Sequence, residues 1–253
     1  GITLLHSQNG QSQTADRIRE NYDQTGATLV EDILTYTQRS VSNATAKAHW
    51  DVENVKIDLS NSFTYSQISD PDFRTTAFAI TTGDTLLALG DGAGVSRFFR
   101  NLQETNNQTK LDFTLPLIFN KDSKDRMIKS ELKFGGSALF KGRDFSVQSY
   151  QFRVAGQTVF NGDPNYLFQD ENIWTPETQT GTYAVGNFEP ANTYYAYQTT
   201  FAGYLMNDLP INRFRAVYGA RVEKANMWYT GQNTDGTQLY IGSETLDAFN
   251  VLP

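Results

Sequence analysis

Residues 194–228 read YYAYQTTFAGYLMNDLPINRFRAVYGARVEKANMW, two long alternating runs around a short connection, Asn207 to Asn212. In the second run Phe214, Ala216, Tyr218, Ala220 and Val222 fall on one face. Arg213, Arg215, Arg221 and Glu223 fall on the other, because strand side chains alternate with period two. The first run follows more loosely, with Tyr195, Tyr197, Phe201 and Leu205 opposed to Gln198 and Thr200. This pattern predicts a hairpin with one greasy and one ionic face. A soluble sheet turns the greasy face to a core and the ionic face to water. A membrane barrel does the reverse, with apolar residues toward lipid and charged ones toward the lumen. Alternation fits both settings, so strand length, connection length and resemblance must separate them.

Bulk properties narrow the choice. A chain of 253 residues has room for one large β domain or two ordinary ones. A net charge of −7 and a pI near 4.9 give a nucleic-acid partner no electrostatic support. With no cysteine, disulfides and thiolate metal sites are excluded. No apolar run reaches the roughly 20 residues of a membrane helix. A mean hydropathy of −0.48 still suits a barrel, whose strands are polar on one face and escape hydropathy windows.

Outward from the hairpin, the same two-residue period recurs. Residues 2–7 read as a short strand and 8–27 as a polar exposed loop, with Ile18 and Tyr22 on one side of a short helix. A long strand is expected over 28–50, then a tight turn at Asp51 to Asn54, then a strand over 55–67. In that strand Val55, Ile57, Leu59, Phe63 and Tyr65 oppose Lys56, Asp58, Ser60, Ser62, Thr64 and Ser66. Residues 69–96 read as a long loop with one short strand. Strands follow over 97–117 and 128–153 around a charged turn at 120–126, and Gly135-Gly136 permits a bend or a close approach. Residues 155–192 carry three of the seven prolines and read as irregular, as does 230–246. Short connections (51–54, 120–126, 207–212) thus alternate with long ones (8–27, 69–96, 155–192, 230–246). Up-and-down transmembrane barrels have that asymmetry, short periplasmic turns and long extracellular loops. The strands also exceed the roughly 9–11 residues needed to cross a bilayer. The expected fold is therefore all-β, an antiparallel segment of such a barrel.

Several segments carry a family likeness. LTYTQRSVSNATAKAHWDVENVKIDLSNSFTYSQISDPDFR, RFFRNLQETNNQTKLDFTLPL with LKFGGSALFKGRDFSVQSYQF, YAYQTTFAGYLMNDLPINRFRAVYGARVE and LDAFNVLP occur in that order. Together they resemble the barrel domain of TonB-dependent outer-membrane receptors, particularly those of Bacteroidetes-type bacteria, across most of residues 1–253. The resemblance implies a barrel of about 22 strands with a plugged lumen, and at ordinary strand and loop lengths roughly eight to ten strands fit in this chain. It also implies that the plug, its TonB-contacting segment and the closing strand lie outside this sequence. On that reading the chain is a receptor fragment in the cell outer membrane, without enzymatic activity or cofactor. The receptor's partners are the TonB complex (through the plug), outer-membrane lipid and a scarce nutrient such as a siderophore, cobalamin, a glycan or a peptide. The alternative is a secreted β-sandwich or jelly-roll carbohydrate-binding module, and a third reading is a β-rich hydrolase.

Side-chain chemistry offers few reactive constellations. Asp91, Asp163 and Asp235 sit in Gly-containing turns, yet none has the acidic spacing or terminal Glu of a calcium loop, so turn chemistry is the expectation. Gly90, Gly92 and Gly94 lack the following helix of a phosphate loop. His6 and His49 are the only histidines and have no metal-ligand or triad spacing around them. Asp144 and Glu223 are the acids available for a glycosidase pair. Ligand-contact candidates are the aromatics Tyr166, Phe168, Trp174 and Tyr183 of the longest loop, which could stack on a ligand or pack on one another. Arg213, Arg215 and Arg221 are cationic candidates, competing with a plain reading as ion-paired wall residues. Trp50, Trp228 and Tyr229 near strand ends fit an aromatic girdle.

Overall fold

The computed structural model describes residues 1–22, 27–80, 82, 85–88, 94–121, 127–156, 163–188, 192–211, 214–233 and 237–252. Ten strands form one antiparallel sheet: β1 (Ile2–Tyr22), β2 (Ala27–Val52), β3 (Val55–Ile80), β4 (Thr85–Leu87), β5 (Ser96–Lys121), β6 (Met127–Ala155), β7 (Gly181–Phe188), β8 (Tyr194–Ile211), β9 (Phe214–Gln232) and β10 (Gln238–Leu252). Their spatial order is β1-β2-β3-β5-β6-β8-β9-β10, with β4 beside β3 and β7 beside β6. Each main strand pairs with its neighbour in sequence, so the sheet is an up-and-down meander. It does not close on itself: β1 and β10 are its two edges. Two short 3-10 helices, Pro164–Phe168 and Asp170–Asn172, stand between β6 and β7.

The strands are longer than the alternation predicts, and four expected loops change accordingly. Residues 8–22 continue β1, paired with β2 from Gln8↔Ser40 to Tyr22↔Ala27, so no helix carries Ile18. Residues 69–80 continue β3, past a register shift between Asp70 and Phe73. Most of 230–246 belongs to β9 and β10, and β7 lies inside 155–192. The turn expected at Asn207 to Asn212 is narrower, since β8 runs through Ile211. The physical reason is common to all. Polar composition signals exposure to water, and a backbone ladder forms between two exposed polar segments as readily as between greasy ones.

The connection asymmetry is partly as expected. At one end of the sheet lie the short links 53–54, 122–126 and 212–213. The opposite end holds the two long ones, 81–95 and 156–193, together with short links at 23–26 and 233–237. Glu53, at φ 54°, makes the β2–β3 turn.

Register fixes which residues share a face. Across β2, β3, β5, β6, β8 and β9, rows such as Ala44↔Phe63↔Asn107↔Phe140↔Thr199↔Asn226 alternate with rows such as Asn43↔Thr64↔Asn106↔Lys141↔Gln198↔Met227. One face near the short links therefore carries Ala44, Ala46, Ala48 and Trp50, then Ile57, Leu59, Phe63 and Tyr65. It continues with Leu111, Phe113 and Leu115, with Leu132, Phe134 and Phe140, and with Phe201, Leu205, Tyr218 and Val222. Among the described residues Lys224 of β9, across from Phe201, is the one charged side chain that interrupts it there. Lys47, His49, Asp58, Lys110, Asp112, Lys133, Asp208, Arg215, Arg221 and Glu223 all lie on the other face. Both runs of the opening hairpin obey the predicted parity.

Little of this apolar surface is covered. Among the described residues the buried hydrophobics are Leu29, Ala77, Ala88, Val147 and Leu167, away from the apolar belt. Phe214 is 81% exposed and Tyr218 58%. The chain exposes 16822 Å², whereas a compact globule of 28.4 kDa would expose roughly 11,000 Å². Among the described residues the sheet is a wall without a second layer.

Two devices hold that wall together. The first is aromatic pairing across strands: Phe113 stacks on Phe134 with centroids 5.0 Å apart, and Phe140 meets Phe201 edge-on at 5.7 Å. The second is close approach at Gly135. The Tyr204 ring crosses this position to donate its hydroxyl to Asp112 Oδ1 at 2.7 Å. A Cβ at residue 135 would sit 2.5 Å from Leu111 O and from that same carboxylate oxygen. The expected bend at Gly135-Gly136 does not occur; β6 is continuous, and the glycine serves close approach instead.

Candidate functional site

The sequence-derived candidates do not converge on one site. Residues 163–175 fold against the apolar-side face of β6 and β7. Asp163 caps the first 3-10 helix by accepting from the Asn165 N–H at 2.9 Å, which is turn chemistry as expected. Phe168 packs edge-on against Phe152 at 5.1 Å, and the Trp174 N–H donates to Thr182 O at 2.9 Å. Asn172 donates to Tyr166 O at 2.7 Å, closing the small loop on itself. Tyr183 alternates to the opposite face, across from Arg153. Phe168 is held by a β6 ring, Tyr166 and Trp174 are tied through their backbones, Phe168 and Trp174 stay 41% and 38% exposed, and Tyr183 stands apart from them.

The cations of β9 lie about forty residues along the chain from that loop and near the short-link end. Arg215 forms a two-pronged ion pair with Asp208, with Nε to Oδ1 at 2.7 Å. Arg221 donates to Glu223 Oε2 from Nε at 3.3 Å and Nη2 at 3.1 Å. Both are partnered wall residues, each neutralised by an acid on the same face. Arg213, Asp91, Asp235, Gly90 and Gly92 lie outside the described residues.

The remaining candidates are scattered. His6 shares a hydrogen bond with Ser42 at 2.9 Å, whereas His49, on the charged face, lies 2.7 Å from Asp58 and 3.3 Å from Asp51. Among the described residues no group of His, Cys, Asp or Glu could hold a metal ion. Asp144 and Glu223 fall on opposite faces, Asp144 beside Tyr195 and Glu223 beside Ala202, so they cannot flank one bond. Trp50 and Trp228 share the apolar face, Trp228 between Tyr195 and Tyr197 at 5.5 and 5.6 Å. Tyr229 alternates to the charged face and does not join them. Directly across the strands, Tyr65, Thr105, Gly142, Tyr197 and Trp228 form one row, which closes the apolar belt on its far side.

Beyond that row the faces lose their sorting. Asp72, Arg74 and Arg97 cluster on the apolar-side face, with Arg97 Nε donating to Asp72 Oδ1 at 2.9 Å. Arg97 and Arg74 hold the Asp72 carboxyl down at a pKa of about 2. On the opposite face Phe73 meets Phe98 at 5.8 Å, with the Arg100 guanidinium 5.3 Å from the Phe73 ring.

A group the sequence reading missed lies on the charged face at the level of the Tyr197–Trp228 row. Glu104 accepts from Arg143 Nε at 2.8 Å and pairs with Lys141 Nζ at 3.2 Å. The signal was cross-strand register: residues 104 and 143 become opposite once the β5–β6 link is counted, and single-strand parity carries no such information. No protein-family model matches the chain, and no curated protein matches it at a significant level.

Proposed function

We infer that this chain is part of the wall of an outer-membrane β-barrel receptor, one that takes up a scarce nutrient with energy delivered through a TonB complex. The carrying observation is the apolar belt across six strands, broken by a single charge, Lys224, and backed by a face that carries the other ions. In water such a belt would demand a covering layer, and the described residues form one sheet. In lipid it needs none. On β3 the belt runs from Val55 to Tyr65, about 11 residues, which matches a tilted bilayer-crossing strand. Grouping of the long connections at one end supports the same orientation, with β4, β7 and the 3-10 helices outside the cell.

Open edges are not tolerated in hydrocarbon, so on this reading further strands pair with β1 and β10 to close the wall. The nutrient classes named by the resemblance, siderophore, cobalamin, glycan or peptide, remain the proposed cargo. No observation favours the sandwich alternative, which needs a second sheet stacked over Phe214 and Tyr218.

The test is depth-resolved fluorescence of single-tryptophan variants refolded into phospholipid vesicles. With bromines placed high on the acyl chains, Trp50 and Trp228 should be quenched and Trp174 should stay bright. Equal quenching of all three, or none, would sink the membrane reading.

A further inference from the structure

On the charged face, beside the Glu104 pair, lies a concavity of about 460 Å³ between β6, β8 and β9. Register explains why it exists. Ala196 stands in the row Arg143↔Ala196↔Tyr229, and the next row along is Lys141↔Gln198↔Met227. Tyr194 and Gln198 flank Ala196 along β8 on the same face. One methyl group is thus ringed by six long side chains, and the missing volume at its centre is the pocket.

The lining has the character of a small-molecule site: a volume within the roughly 300–1,000 Å³ of such pockets, apolar walls, and a few polar groups at the rim. Tyr194 is braced from outside by Phe145 at 5.5 Å, so one aromatic wall is already held in place. Among the described lining residues the only charged groups are Lys141 and Arg143. They share one carboxylate, Glu104, whose side chain is 16% exposed while theirs are 30% and 40% exposed. Two cations against one acid leave a single positive charge at the mouth. The acid stands on β5, across Arg143 on the side away from Ala196.

We propose that this pocket binds a small monoanion with a flat apolar body, an aromatic carboxylate. The ring packs over Ala196 between Tyr194, Tyr229 and Met227. The carboxylate takes the N–H donors that Arg143 and Lys141 do not spend on Glu104 and Tyr194. Gln198 offers an amide at the same rim. A neutral sugar makes no use of the surplus charge, which is why the anion is the preferred occupant. This inference rests on the polar face alone and survives any outcome of the vesicle experiment.

The full chain, refolded in detergent micelles, is titrated with sodium benzoate, its neutral isostere benzamide, and glucose, using saturation-transfer NMR and calorimetry. Benzoate is expected to bind at least tenfold tighter than benzamide, with no saturation transfer to glucose. Arg143→Gln should remove that preference, and Ala196→Leu, which fills the floor, should abolish benzoate binding with an unchanged circular dichroism spectrum. Should Ala196→Leu fail to fold, Lys141→Gln takes its place, with a several-fold loss for benzoate and none for benzamide. Equal binding of benzoate and benzamide, transfer to glucose, benzoate binding indifferent to these substitutions, or no binding of any probe would each overturn the proposal.

Discussion

The half of the sheet near the short links and the half beyond the Tyr197–Trp228 row are built from the same strands, yet they obey different rules. In the near half every described charge on β2 to β9 except Lys224 goes to one face. In the far half Asp72, Arg74 and Arg97 occupy the face that is greasy below, while Phe73 and Phe98 occupy the face that is ionic below. The far half also holds register shifts, between Leu34 and Gln38 on β2 and between Asp70 and Phe73 on β3; on the proposed membrane reading the surroundings differ as well. A face that meets water on both sides of the sheet has no reason to sort its charges. A face that meets hydrocarbon must, because a charge there is expensive.

That contrast can be broken most directly by moving a charge. Tyr218→Arg, in the belt, should lower unfolding stability by about 2–4 kcal/mol in lipid vesicles. Gln103→Arg, on the same face two residues past the aromatic row, should cost only about 0–1 kcal/mol. Equal costs in denaturant titrations would erase the distinction between the halves.

Packing on the charged face, behind the belt, gives the next largest effect. Gly135→Val forces a methyl-bearing Cβ onto Leu111 O and pushes Tyr204 off Asp112, for about 1–3 kcal/mol in the same titration. Tyr204→Phe, which keeps the ring and loses the hydroxyl, should cost less, about 0.5–1.5 kcal/mol. If the phenylalanine variant is the worse of the two, the glycine's role is misassigned.

The far half supplies the smallest effect and a pH dependence. Asp72 has its pKa lowered from 3.8 to about 2 by Arg97 and Arg74. A depressed carboxylate contributes its stability above the unfolded value, near pH 4, and loses it as pH falls toward 2. Screening around the half-exposed arginines keeps this to about 1 kcal/mol. Asp72→Asn should remove that sensitivity between pH 4 and 2, measured as the shift in denaturation midpoint. A wild-type midpoint that is flat across this window would show the cluster to be energetically idle.

Much of the strand pattern was legible from alternation. The β2–β3 turn, the faces of β8 and β9 and the close approach at Gly135 all follow from residue type and period. The expected loops at 8–27 and 230–246 failed for one reason: polarity reports wetness, and it was read as irregular backbone. Tyr229 was put with Trp228 because they are sequence neighbours, when alternation already sends adjacent residues to opposite faces. Asp144 and Glu223 were separable by parity only after the registers of β6, β8 and β9 were known.

By itself, then, the sequence determined that the chain is β, which residues of each strand share a side, and that one side is greasy. Each of these is a property of a single strand, set by a two-residue period. Only the tertiary structure decided which strands adjoin, that the sheet stays open with one layer, that Arg215 and Arg221 are already ion-paired, and that Ala196 sits in a ring of larger side chains. Those are properties of register between segments far apart in the chain, and a shift of one residue would have sent each side chain to the other face.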